Sequence, residues 1–214
     1  MFATRRFVAT DAAGVPGEWV LAPGANPAKR TLCIHGGAFT MGSRLSHRPL
    51  ALAFSSMTGD AVRAVDYRLM PKHSCQAGID DCRTAYRWLL GNSPKSAGVA
   101  SEVLVADDSA FSPVFGDLSG LPPTLIQASE SEVLFDGARR YAAKATATGS
   151  PVRLQTWSNI VHVWQMFDTT LVESSEALSE FGRFLVQYRH CATSQCSTHN
   201  FDLLRGRCAL SLKQ

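Results

Sequence analysis

Apolar residues fall into two alternating kinds of run along this chain. Short stretches rich in β-branched and other apolar residues, at 18–21, 31–35, 61–65, 102–106, 124–128 and 152–157, read as strands. Other segments carry apolar side chains every three or four positions, the period of a helix with one buried face. Ile79, Cys82, Tyr86, Leu89 and Leu90 form one such stripe, which stops at Gly91-Asn92. Leu134, Ala138, Tyr141, Ala142 and Ala145 form a second, ended by Gly149. A third turns Leu178, Phe181 and Leu185 inward and opens on a capping-box pattern, Thr170 with Glu173 three residues on. Strands alternating with helices predict an α/β protein, a mostly parallel sheet flanked by helices.

Two regions break the alternation. Between Ser109 and Pro123, the residues Pro113, Gly116, Gly120, Pro122 and Pro123 forbid a regular helix and predict loop. From about Gln187 the helical period fades, which predicts one domain over 1–187 and an irregular tail over 188–214.

Composition narrows the function classes. A chain of 214 residues with 45% hydrophobic residues buries one sizeable core. Its 21 basic and 18 acidic residues give a net charge of only +3, and the arginines are scattered, so no nucleic-acid footprint is expected. No run of eighteen apolar residues exists, and residues 1–10 carry Arg5 and Arg6 in place of an apolar leader, so the expectation is a cytoplasmic protein without a membrane span. The six cysteines are then expected to be free thiols. In the tail, His190, Cys191, Cys196, His199 and Cys208 offer soft ligands, but their spacing fits no established zinc pattern, so no metal is expected. His47 and His73 read as loop or surface groups.

The candidate chemistry begins at His35-Gly36-Gly37-Ala38-Phe39, where the apolar run 31–34 ends. Acyl transfer needs backbone N–H groups aimed at an oxygen that gains charge, and adjacent glycines let the backbone approach that oxygen closely. Further on come Val65-Asp66-Tyr67-Arg68-Leu69-Met70-Pro71, Ser112-Pro113-Val114-Phe115-Gly116-Asp117-Leu118, Leu121-Pro122-Pro123 and His162-Val163-Trp164-Gln165-Met166-Phe167. Together and in this order, these motifs resemble the hormone-sensitive-lipase-like family of bacterial esterases and lipases, within the α/β-hydrolase superfamily. The resemblance runs from about Gly14 to Val186.

The resemblance implies a carboxylic ester hydrolase with a Ser-His-acid triad, a small-molecule ester as substrate and no cofactor. It places the nucleophile on Ser109, directly after the strand-like 102–106, and the base on His162, beyond the strand-like 152–157. The acid that orients the histidine falls on Glu132, ahead of Val133-Leu134. Its neighbours Glu130 and Asp136 read as charges in the first turn of a helix. Gly36, Gly37 and Ala110 are the implied oxyanion donors.

The chain also departs from the pattern. A nucleophile elbow wants small residues two before and two after the serine, and here those positions hold Asp107 and Phe111. The long helix that the resemblance implies after Ala110 is replaced by Ser112-Pro113, which resembles a much later point. The expectation is a reduced fold with the cap absent, an open acyl pocket and weak turnover. The strands 102–106 and 124–128 are then expected to close up as direct neighbours, unless the fold is marginal. An inner strand with five or six large apolar residues contributes on the order of 10 kcal/mol, comparable with the whole net stability of a domain. A non-catalytic hydrolase remnant acting as a binding module is the competing expectation.

Overall fold

A computed structural model describes residues 4–95, 98–100, 102–107, 117–132, 134–194 and 208–211. The chain divides into two compact units, Met1–Phe111 and Ser112–Gln214.

In the first unit, strands β1 (Arg6–Ala12), β2 (Val15–Leu21), β3 (Asn26–Ile34), β4 (Asp60–Val65) and β5 (Glu102–Asp107) lie in the order β1-β2-β4-β3-β5. The β1/β2 and β2/β4 pairs are antiparallel, whereas β3 runs parallel to both β4 and β5. Every residue of β4 is buried, as expected of an inner strand covered on both faces. Its Arg63 is fully buried and donates to the carbonyls of Val15 (3.1 Å), Thr10 (3.3 Å) and Ala64 (3.3 Å). Burial lowers its pKa to about 10, because the charged form is disfavoured away from water.

Helix α1 (Arg48–Thr58) packs on β4 and β2 and ends at Gly59, which is left-handed and donates its N–H to the Ser55 carbonyl. Helix α2 (Cys75–Gly91) starts at Ser74, whose hydroxyl accepts the Ala77 N–H at 3.2 Å. At its far end the buried Arg30 side chain donates to the Leu89 and Leu90 carbonyls, 2.7 and 3.1 Å away, where orphan acceptors and the negative end of the helix dipole collect. Ile79, Cys82, Tyr86 and Leu89 of the expected stripe do meet the core, and Leu90 is exposed.

In the second unit, β6 (Thr124–Ser129) is flanked in parallel by β7 (Val152–Trp157) and by β8 (Cys208–Ser211). Helix α3 (Phe135–Ala147) buries Ala138, Tyr141, Ala142 and Ala145 against β6 and β7, as its stripe predicts, whereas Leu134 lies at its N-cap and is exposed. A 3₁₀ turn, Trp164–Thr170, leads into α4 (Val172–Ser194), which buries Ala177, Leu178, Phe181, Phe184 and Leu185.

Two expectations are corrected. Helix α4 starts at Val172, not at a Thr170 cap, because Thr170 closes the 3₁₀ turn. Both edges of β6 are taken, by β7 and by the tail strand β8, so the strand at 102–106 is not its direct neighbour. A tail strand satisfies the row of backbone N–H and C=O groups that a bare edge would leave open. The loop expected over 109–123 is irregular over 117–123; residues 109–116 lie outside the described residues.

Candidate active site

The candidate residues fall on loops at the carboxyl ends of parallel strands, where open α/β sheets place their chemistry. In the first unit Ile34, the last residue of β3, pairs with Asp107, the last residue of β5. His35 and its glycines therefore leave one strand beside the point where the chain leaves β5 toward Ser109. Ser109 and Ala110 themselves lie outside the described residues, as does the side chain of Asp107.

The glycine loop is bent by its own geometry. Gly37 takes φ +120°, and a Cβ there would sit 2.2 Å from the Met41 carbonyl oxygen. Gly42 takes φ +94°, and a Cβ there would strike the Gly36 carbonyl oxygen, also at 2.2 Å. Ala38 and Phe39 follow with φ of 51° and 60°, a region that residues with side chains rarely visit. Such strain persists only where the surroundings over-determine it, and here they do.

The carbonyls of His35, Gly36 and Gly37 each have a donor. Tyr67 Oη donates to the His35 carbonyl at 2.8 Å, and His35 Nδ1 lies 2.8 Å from the Gly36 carbonyl. The Gly37 carbonyl accepts from Thr40 N (2.9 Å), Met41 N (3.1 Å) and Thr40 Oγ1 (3.0 Å). Since a carbonyl only accepts, Nδ1 of His35 carries the proton. The His35 ring is buried and stacks on Tyr67 with centroids 4.3 Å apart. Burial pushes its pKa down to about 4; the Gly36 hydrogen bond opposes this and nearby His47 adds to it. His35 is thus neutral near pH 7, a fixed donor and not a base. By contrast, the N–H groups of Gly36, Gly37 and Ala38 meet no acceptor among the described residues. Three consecutive donors left over on a strained loop make a cradle for a developing negative charge.

The Asp66-Tyr67-Arg68 stretch fastens this loop from below. Asp66 accepts the Arg44 N–H at 2.6 Å and pairs with the Arg44 guanidinium. Arg68 makes a forked pair with Asp81 on α2, at 2.9 and 2.8 Å. Burial alone would raise the Asp81 pKa, but the hydrogen bonds and charge of Arg68 outweigh it and hold the carboxyl below its ordinary range. Met70 N donates to the Phe39 carbonyl at 2.7 Å.

In the second unit the structure brings Glu132 and His162 together. His162 Nδ1 lies 2.8 Å from Glu132 Oε2, with the carboxylate side chain 7% exposed and the imidazole 43% exposed. The other oxygen, Oε1, is buried without a hydrogen-bond partner among the described residues.

The loops that carry the pair are stitched to each other. Ser129, fully buried, donates to the Ile160 carbonyl at 2.7 Å and accepts the Ser131 N–H at 3.2 Å. Ser131 Oγ accepts the Asn159 N–H at 3.2 Å, and Glu130 N donates to the Trp157 carbonyl at 2.9 Å. Glu130 takes the hydroxyls of Ser158 (2.5 Å) and Thr156 (2.8 Å), which hold its pKa below the ordinary value. Asp136 pairs with Arg139 and Arg140 on α3. His162 lies between two left-handed residues, Asn159 (φ 56°) and Val163 (φ 53°). Behind it, Gln165 donates to Gln127 (3.3 Å), which donates to Gln155 (3.2 Å) and to the Ala177 carbonyl (2.8 Å).

Sequence reasoning singled out none of Ser129, Ser131, Gln127 or Gln165. Their partners lie across a strand pair, Ser129 opposite Trp157, and no local pattern announces such a register. No His, Cys, Asp or Glu cluster suited to a metal occurs among the described residues, and the tail ligand candidates lie outside those whose side chains are described.

A glycine loop after a parallel strand in the first unit, and a carboxylate-histidine pair on the loops after two parallel strands in the second, are both features of an α/β-hydrolase. The chain belongs to that family: residues 31–110 and 105–166 match the family described as alpha/beta hydrolase fold. Among curated proteins it is similar to an acetyl-hydrolase of Streptomyces hygroscopicus, 28% identical over 78% of this chain and 78% of the relative. It is also similar to the esterase LipU of Mycobacterium tuberculosis, 30% identical over 78% of this chain and 82% of the relative. Among solved structures, an esterase from the bacterial hormone-sensitive lipase family matches with TM-score 0.77 at 26% identity, covering 85% of this chain and 84% of the other.

The two matched stretches meet at 105–110, around Ser109. The acetyl-hydrolase alignment extends over 235 residues but covers 78% of a 214-residue chain, about 167 residues, so about 68 positions of the relative have no counterpart here. The family's chain is thus interrupted where the sequence departs from its pattern.

Proposed function

We propose that this chain is a carboxylic ester hydrolase of carboxylesterase type, acting on short-chain acyl esters. The observation that carries the reading is the 2.8 Å contact between His162 Nδ1 and the nearly buried Glu132 carboxylate. Curated relatives named acetyl-hydrolase, esterase and carboxylesterase/phospholipase support it.

In the proposed mechanism Ser109 is the nucleophile. His162, its Nδ1–H donated to Glu132, takes the serine proton on Nε2 as Oγ attacks the ester carbonyl. The tetrahedral oxygen, now negative, rests on the N–H groups of Gly36, Gly37 and Ala110. His162 then passes its proton to the leaving alcohol, and water releases the acyl group by the same path reversed. No step calls for a cofactor.

The family match crosses both compact units, so we read 1–187 as one hydrolase domain. No helix among the described residues is long and apolar enough to cross a membrane, and we propose a cytoplasmic location.

Turnover is expected to be weak, because losing one fixed oxyanion donor costs about a hundred- to a thousandfold and the family's chain is interrupted beside Ala110. That interruption also favours a second reading, a hydrolase fold retained as a binding module. Short-chain p-nitrophenyl esters test the two. Turnover lost in Ser109→Ala supports the enzyme; turnover equal in both proteins, or absent from both, leaves the binding module.

A further inference from the structure

We infer that the hydroxyl of Tyr67 is a positioning group for the oxyanion cradle: it fixes and strengthens the Gly36 N–H by holding the carbonyl of the same peptide. The inference rests on the reading of Gly36 as an oxyanion donor and goes beyond it. A peptide unit is planar, so whatever fixes the direction of the His35 C=O also fixes the Gly36 N–H on the opposite side. Tyr67 Oη donates to that oxygen at 2.8 Å from a fully packed position. A hydrogen bond to the carbonyl also polarises the peptide and makes its N–H a better donor.

The three peptides of the cradle are held unequally. The Gly37 carbonyl, which governs the Ala38 N–H, accepts from Thr40 and Met41, donors within the same turn that the backbone largely supplies. The Gly36 carbonyl, which governs the Gly37 N–H, faces the neighbouring ring of His35. The His35 carbonyl instead takes a side chain from 32 residues away. That side chain is itself braced: its ring stacks on His35 (4.3 Å), leans on Phe39 (5.5 Å) and packs against Gly78 of α2, where a Cβ would come within 3.1 Å of it. Burial on this scale gives the hydroxyl one direction. Removing it leaves the ring in place and frees one peptide to tilt.

The test is Tyr67→Phe, which keeps the ring and removes only the donor. Expected is a fall in kcat of about tenfold, less than the loss of an entire donor, with KM for a short-chain p-nitrophenyl ester unchanged. Affinity for a trifluoromethyl ketone of the same acyl length, which forms the tetrahedral adduct, should fall by the same factor. Thr58→Val, which removes the hydroxyl's bond to the Phe54 carbonyl on α1 and its acceptance of the Asp60 N–H, serves as the control for lost stability and should keep kcat. All rates are taken well below each variant's melting transition, so that loss of fold cannot pass for loss of rate. An unchanged kcat in Tyr67→Phe, or an equal loss in Thr58→Val, overturns the inference while the esterase reading stands. A wild-type protein without ester turnover overturns the esterase reading and this inference with it.

Discussion

In the first unit the cradle is held by groups buried among aromatic rings: Tyr67 and His35 are both nearly inaccessible, and the donors left over are backbone N–H groups. In the second unit Glu132 and His162 ride on loops sewn together mainly by hydroxyls and a carboxylate, several of them exposed, with Ser129 as the buried stitch. Strain gathers in both places. Ala38, Phe39, Asn159 and Val163 lie in these loops, and Ala13, in the β1–β2 turn, completes the set of non-glycine residues with positive φ among those described. The contrast fits the proposed roles. A cradle must not yield when charge develops, so it is built from rigid peptides packed away from water; a histidine must move a proton and meet solvent, so its loop is tied at the rim.

The largest expected effect separates charge from shape in the second unit. Glu132→Gln keeps the size of the side chain but removes the negative charge and permits the wrong imidazole tautomer, so kcat should fall by about 10²- to 10⁴-fold with little change in KM. A loss of less than tenfold would show that the 2.8 Å pair is structural. Next comes acid lability of the first unit. His35 takes up a proton at about 6.5 when unfolded and at about 4 when folded, so the unfolded state binds more protons between those values. Stability is therefore complete above pH 6.5 and declines as pH falls toward 4, by up to about 3 kcal/mol. Urea unfolding at stepped pH should show this slope, and His35→Asn, which keeps a donor near Nδ1 but cannot titrate, should flatten it.

Ser129→Ala should cost about 1–3 kcal/mol, since it leaves the Ile160 carbonyl without its donor in a buried place. Its kcat should fall with it, because the His162 loop loses its inner stitch. Glu130→Gln should be the mildest: the carboxylate lies in water, and chemical denaturation at neutral pH should hardly distinguish the variant from wild type. An effect of Glu130→Gln larger than that of Ser129→Ala would overturn the division into buried and rim stitching.

Much of the frame was legible in the chain. Strands β2 to β6 follow apolar runs, because inner strands of a covered sheet are apolar throughout; β7 shows the alternation of an edge strand, and the stripes of α2, α3 and α4 mark their buried faces. Strand β1 was not legible: at the sheet edge it keeps most of its side chains in solvent, so Arg6–Ala12 has no apolar run to show. Helix α1 was missed because Pro49-Leu50-Ala51-Leu52-Ala53-Phe54 gives a short apolar stretch that strand and helix share. Strand β8 rests on pairing with β6, a long-range contact without a local signal. For the site, glycine chemistry alone pointed to the cradle, whereas choosing Glu132 over Glu130 needed the family resemblance. Both glutamates lie just past the same strand, and only the fold gives Glu130 two hydroxyls and Glu132 an imidazole.

The central claim is that Ser109 is an activated nucleophile served by His162. Incubation with a fluorophosphonate, followed by mass spectrometry of the peptide spanning Ser109, measures this directly, since only a deprotonating partner makes a serine react at a useful rate. The account predicts stoichiometric phosphonylation of Ser109 in the wild-type protein and none in His162→Ala. An unlabelled Ser109, or equal labelling in the two proteins, would contradict it.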